Sequence, residues 1–102
     1  MAIIKKYLKN KPEVCRVRFE LNGEEAKHAG EVCVAGDFND WDIRAAPMTK
    51  KKNCFTYTVD LPAGQDYRFR YVIDGTTWHN DAQADHFENS GLGDSLNSVI
   101  AV

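Results

Sequence analysis

Hydrophobic and polar residues alternate with a period of two through much of this chain. Cys15, Val17, Phe19 and Leu21 alternate with Arg16, Arg18 and Glu20, the pattern of a half-buried strand with one solvated face. Phe55, Tyr57, Val59 and Leu61 repeat it against Cys54, Thr56, Thr58 and Asp60. Tyr67, Phe69, Tyr71 and Ile73 do so against Arg68, Arg70 and Val72. Residues 31–35 read as a further strand, with Val32 and Val34 on one face and Cys33 and Ala35 on the other. That strand breaks at Gly36-Asp37, and Asn39-Asp40 supplies turn chemistry before Trp41. Asp74-Gly75 predicts a hairpin that returns residues 76–79 with Trp78, and residues 96–102 close the chain as a last strand. Residues 43–48 read as a short extended edge restricted by Pro47. Thr49 to Asn53, with three consecutive lysines, reads as a solvated turn, and residues 80–94 are too rich in turn formers for regular structure. Ile3, Ile4, Tyr7 and Leu8 fit one face of a short helix, yet the lysines around them and Pro12 equally suit a flexible or edge segment.

Six to eight short strands punctuated by turns, with no helical periodicity and no internal repeat, predict an all-β fold. Its architecture is an immunoglobulin-like antiparallel β-sandwich. The 102 residues suffice for one domain with a single core. The expected division is an N-terminal extension over 1–12 and a sandwich over 13–102. A net charge of −2 gives no electrostatic ground for nucleic acid or an anionic membrane as partner. No apolar run approaches the roughly 20 residues of a membrane span. Met1 to Lys11 lacks the apolar core and cleavage site of a secretory signal. Cys15, Cys33 and Cys54 are an odd set without CxxC pairing or zinc spacing. They read as three buried free thiols in a reducing cytoplasm, the expected location.

No Ser/His/Asp elbow, phosphate-binding loop or dinucleotide fingerprint is present, so no catalysis is expected. The 15 Asp and Glu residues fall mostly at turns, where Asp serves local hydrogen bonds. His79, Asp81, Asp85 and His86 lie close in sequence but no regular element fixes their spacing, and they read as loop residues bonding their own backbone rather than metal ligands. No cofactor is implied. The tryptophans are different. An indole carries a large apolar surface, so a loop Trp is either a plug on the core or a plate kept out for a flat ligand. If Trp41 and Trp78 emerge on one side, they flank a guanidinium, Arg70, with Asn97 in reach. That set suits a sugar, whose ring has an apolar C–H face and whose hydroxyls need fixed donors and acceptors.

The ordered set Val34-Ala35-Gly36-Asp37-Phe38-Asn39-Asp40-Trp41, Pro47-Met48, Leu61-Pro62-Ala63-Gly64, Tyr67-Arg68-Phe69-Arg70-Tyr71-Val72-Ile73-Asp74-Gly75, Trp78 and Asn97-Ser98-Val99 resembles a known family. It is similar to the family 48 carbohydrate-binding module, the isoamylase N-terminal or early set domain. The glycogen-binding domain of the AMP-activated kinase β subunit is among the relatives. The resemblance covers about residues 31–102, and residues 14–21 fit the family's first strand. It implies non-catalytic binding of α-1,4-linked glucan, glycogen- or starch-like, through exposed tryptophans. The stacking residues would be Trp41 and Trp78, and the polar contacts Arg70 and Asn97. Leu92 would be a loop contact, with Ser95 in the place of a hydroxyl residue. The competing expectation is a protein-interaction module that docks on a glucan-metabolising enzyme, with the tryptophans as anchors. Three departures stand out: Arg70 replaces the lysine of kinase-type members, the Thr76-Thr77 turn is one residue longer, and so is the loop from Leu92 to Asn97. An odd insertion before Trp78 flips its side chain unless the register absorbs it. With nothing after Val102, a stand-alone module is expected.

Overall fold

The computed structural model describes residues 2–52, 54–91, 93 and 95–102. Among them are nine strands and one short helix: β1 (Ala2–Leu8), β2 (Lys11–Leu21), α1 (Glu24–His28), β3 (Val32–Gly36), β4 (Thr49–Lys51), β5 (Cys54–Pro62), β6 (Asp66–Ile73), β7 (Thr77–His79), β8 (His86–Asn89) and β9 (Leu96–Ala101). All pairings are antiparallel. One sheet has the order β1-β2-β5-β4; the other has β3-β6-β9-β8, with β7 also paired to β6. Two antiparallel sheets around one core make the β-sandwich that the alternation predicts.

The core follows from the register. Cys15, Val17, Phe19 and Leu21 of β2 are all fully buried and lie opposite Leu61, Val59, Tyr57 and Phe55 of β5. Tyr67, Phe69 and Tyr71 of β6 are buried from the other sheet. The Phe19 ring meets Phe69 edge-on at 4.9 Å and stacks with Phe38 at 5.8 Å. Each such buried aromatic contributes about 1.5–3 kcal/mol by leaving water, so these rings fix the distance between the sheets.

Several segments differ from their expectation for physical reasons. Residues 2–8 form an edge strand, with Ile3 opposite Phe19 and Tyr7 opposite Cys15. Ile3 packs on the core while Ile4 and Tyr7 stay about half exposed, so pairing rather than helical burial organises them. The Lys5 ammonium reaches across to the Asp85 carboxylate. Residues 49–51 pair with β5, and lysines suit such an edge. Residues 86–89, in a stretch expected to lack regular structure, pair with β9. Residues 43–48 form no strand; they make one bridge, Cys33 to Pro47. Ala26 and Ala29 seat α1 and its end in the core. Of the three free cysteines only Cys15 is fully buried; Cys33 and Cys54 are partly exposed.

A buried polar cluster ties the chain after β7 to β9. Asp81, fully buried, accepts hydrogen bonds from the Tyr71 hydroxyl at 2.6 Å and the Gln83 amide at 2.8 Å. Its own amide donates to Ser98 Oγ, which in turn donates to Asn80 Oδ1. Burial, then the Asp81 charge, pushes the Tyr71 phenol far above its ordinary range. Asp81 is thus committed to hydrogen bonds. Among the described residues no three His, Cys, Asp or Glu side chains gather to hold a metal.

Candidate functional site

The site begins where β3 ends. A side chain at Gly36 would place its Cβ 2.5 Å from the Arg68 carbonyl and 2.9 Å from Phe69 Cβ, so only glycine lets β3 and β6 close there. The chain then makes a 3-10 turn over Asp37–Asn39. Asn39 locks it: its Oδ1 accepts from the Gly36 amide at 3.0 Å and its Nδ2 donates to the Val34 carbonyl at 2.9 Å. Asp40 and Trp41 follow with φ of 56° and 60°, left-handed values that cost a non-glycine residue about 1–2 kcal/mol. The Trp41 amide donates to the Gly36 carbonyl at 2.9 Å. Asp37 steers the ring, since its Oδ1 accepts the indole N–H at 3.1 Å while its Oδ2 accepts the Arg68 amide at 2.8 Å.

The second half comes from β6, β7 and β9. Trp78 lies opposite Val72, two residues from Arg70, so by the period of a strand it shares the face of Arg70. The extra residue before Trp78 is absorbed in the turn, where Asp74 and Gly75 take φ of 52° and 74° and the Thr76 amide donates to Ile73. The feared flip does not occur. Trp41 and Trp78 have ring centroids 6.5 Å apart, tilted by 41°. The Arg70 guanidinium lies 6.0 Å from the Trp78 ring. The indoles therefore neighbour each other directly; a guanidinium stacked between them would need two contacts of about 3.5–4.0 Å. Arg70 is held from the far side, donating from Nε to Asn97 Oδ1 at 2.8 Å and from Nη2 to Ser95 Oγ at 3.2 Å. Ser95 and Ser90 share a further hydroxyl contact.

These residues line a shallow cavity of about 480 Å³ formed by Asp37, Trp41, Arg68, Arg70, Trp78, Ser90 and Asn97. Trp78 is 45% exposed. Trp41 is half-buried, which corrects the expectation of two openly displayed indoles: its bond to Asp37 and its contact with Trp78 turn it partly inward. Arg68 is neutralised by Glu88 and Asp37. The hydrogen bond and charge of Glu88, then Asp37, raise its pKa further. Arg70 instead bonds neutral partners, which leaves its remaining N–H groups and the Asn97 NH₂ as donors.

Of the residues expected at the site, Trp41, Trp78, Arg70, Asn97 and Ser95 come together; Leu92 lies outside the described residues. Asp37 and Arg68 were not foreseen. Their signal was slight: an aspartate four positions before the loop tryptophan reads as an ordinary turn residue. Residues 16–102 match the family model described as the glycogen recognition site of AMP-activated protein kinase, a span that includes every residue of the cavity. No curated protein matches the chain significantly.

Proposed function

The chain belongs to this family of glycogen recognition domains, and on that premise we propose that it binds α-1,4-linked glucan on the Trp41–Trp78 face. The family is one of non-catalytic carbohydrate-binding modules. Glucose rings lie with their C–H faces on the two indoles, which lose apolar surface to the sugar. Arg70 and the Asn97 amide donate to hydroxyl oxygens, and Ser95 fixes the guanidinium fork from behind. A planar fork addresses two oxygens at once, unlike the point charge of lysine. Leu92 would add a loop contact.

The observation that carries this reading is the convergence of two indoles, 6.5 Å apart, with the Arg70–Asn97 pair in one shallow cavity. Docking on a glucan-metabolising enzyme would call for an apolar patch whose centre is poor in charged groups. Here polar donors converge on the rings, which favours sugar. Little of the ligand would be enclosed, so affinity is expected to be roughly micromolar or weaker. The test is a titration of the intrinsic tryptophan emission with maltoheptaose, alongside co-sedimentation with glycogen. A saturable change and pelleting with the polymer are expected. Neither effect at millimolar sugar would overturn the reading.

A further inference from the structure

A second cavity, of about 450 Å³, is lined by Glu31, Cys33, Ile43, Arg44, Pro47 and Gly75. The site above makes no use of it. In the register, Cys33 of β3, Val72 of β6 and Trp78 of β7 form one row across the sheet, and directly opposed residues share a face. Two strand spacings put Cys33 about 10 Å from Trp78 along that row. Ile43 and Arg44 follow Trp41 by two and three residues, so the segment that delivers the indole to the first cavity also delivers a wall of the second.

The geometry points to a second subsite for the same glucan, in which a chain that has passed over the indole pair continues across Cys33 between Arg44 and Glu31. This inference rests on the sugar reading. A hydroxyl group both donates and accepts, and this cavity offers an acceptor-only carboxylate and a donor-only guanidinium beside the apolar Ile43 and Pro47. The carboxylate makes the cavity a poor place for an anion and suits a neutral sugar. Both charged residues are exposed. Among the described residues their hydrogen bonds run through the backbone: the Glu31 amide donates to Asp74 and the Arg44 amide to Asp42. Their side chains can therefore be changed without disturbing the fold.

Cys33 in this cavity supplies an independent reporter. Burial, then the charges of Glu31 and Asp42, raises its thiol pKa, so labelling with iodoacetamide is best run at pH about 8.5, where a free thiol is substantially ionised. Cys54 lies in the other sheet and serves as the internal control. The experiment measures affinity by tryptophan emission for maltotriose and maltoheptaose, in wild type and in a Glu31→Gln, Arg44→Ala double variant. In parallel, Cys33 labelling is followed by peptide mass spectrometry with each sugar at saturation.

Losing hydrogen bonds to such exposed groups should weaken maltoheptaose binding about threefold to tenfold, and maltotriose binding less than about twofold. Maltoheptaose should slow labelling of Cys33 but not of Cys54. Equal effects on both sugars, or no effect and no protection of Cys33, would overturn the second subsite while a persisting tryptophan response left the indole site standing. No tryptophan response to either sugar removes the indole site and this subsite together.

Discussion

Asp37 is the brace of the Trp41 indole, and removing it separates the orientation of the ring from its presence. The carboxylate accepts Trp41 Nε1 at 3.1 Å and the Arg68 amide at 2.8 Å, with Arg68 Nη1 at 3.5 Å. Its side chain is about one-third exposed, so water replaces part of what Asp37→Ala deletes. Two net hydrogen bonds at about 0.5–1.5 kcal/mol each, and an exposed ion pair at about 0–1 kcal/mol, put the loss of stability near 1–4 kcal/mol. The effect on binding arises separately. An indole freed from its acceptor must be ordered again on the sugar, at about 0.5–1.5 kcal/mol per immobilised side chain. That is about a twofold to tenfold rise in Kd. Asp37→Asn keeps a neutral acceptor for one of the two N–H groups and should recover most of the affinity with part of the stability. Urea denaturation followed by circular dichroism gives the first quantity, and tryptophan emission against maltoheptaose the second. If Asp37→Ala is destabilised as expected yet binds as tightly as wild type, packing alone orients Trp41 and the brace has no part in recognition.

Two further outcomes test the frame that carries the site. Gly36→Ala should destabilise the protein by about 1–3 kcal/mol, because the new methyl would meet the Arg68 carbonyl and Phe69 Cβ, neither of which is a flexible side-chain tip; an unchanged urea midpoint would mean that β3 and β6 separate there without cost. The link between β1 and the opposite sheet gives a pH dependence. Burial pushes the Asp85 carboxyl up, but hydrogen bonds from Lys5 and the Ala101 amide, with the charges of Lys5 and His86, outweigh it and leave the pKa lowered. A folded-state value below the unfolded one means that this stability is complete above pH about 4 and is lost as pH falls through the lower folded value. Asp85→Asn should therefore be less stable than wild type at pH 6 by under about 1 kcal/mol, and the two should converge toward pH 2. A difference that persists in acid would refute the charge as its source.

Strands with four alternating pairs were legible because burial on one face imposes period two on β2, β5 and β6. Residues 2–8 were not, since Ile3, Ile4, Tyr7 and Leu8 satisfy helical spacing as well as strand alternation; only the pairing with β2 decides between them. Strand β8, with Phe87 as its one large apolar residue, carries no apolar alternation, and its ladder with β9 supplies the order. At the site, residue types were readable and their geometry was not. Trp41 and Trp78 could be placed on a shared face only once the Thr76-Thr77 turn was seen to absorb its extra residue. The inward tilt of Trp41 depends on Asp37, whose role is a matter of two distances rather than of composition. Arg70 lies far from Ser95 and Asn97 in sequence and meets them through the β6–β9 pairing.

The central claim is that both indoles meet the glucan, and the titration of Trp41→Ala and Trp78→Ala with maltoheptaose tests it most directly. Each variant leaves one tryptophan as reporter, and circular dichroism establishes that each is folded. Wild type should show a saturable change, and either variant should bind at least about tenfold more weakly, as expected when a flat apolar plate is lost. Two folded variants that bind maltoheptaose as tightly as wild type would contradict the account.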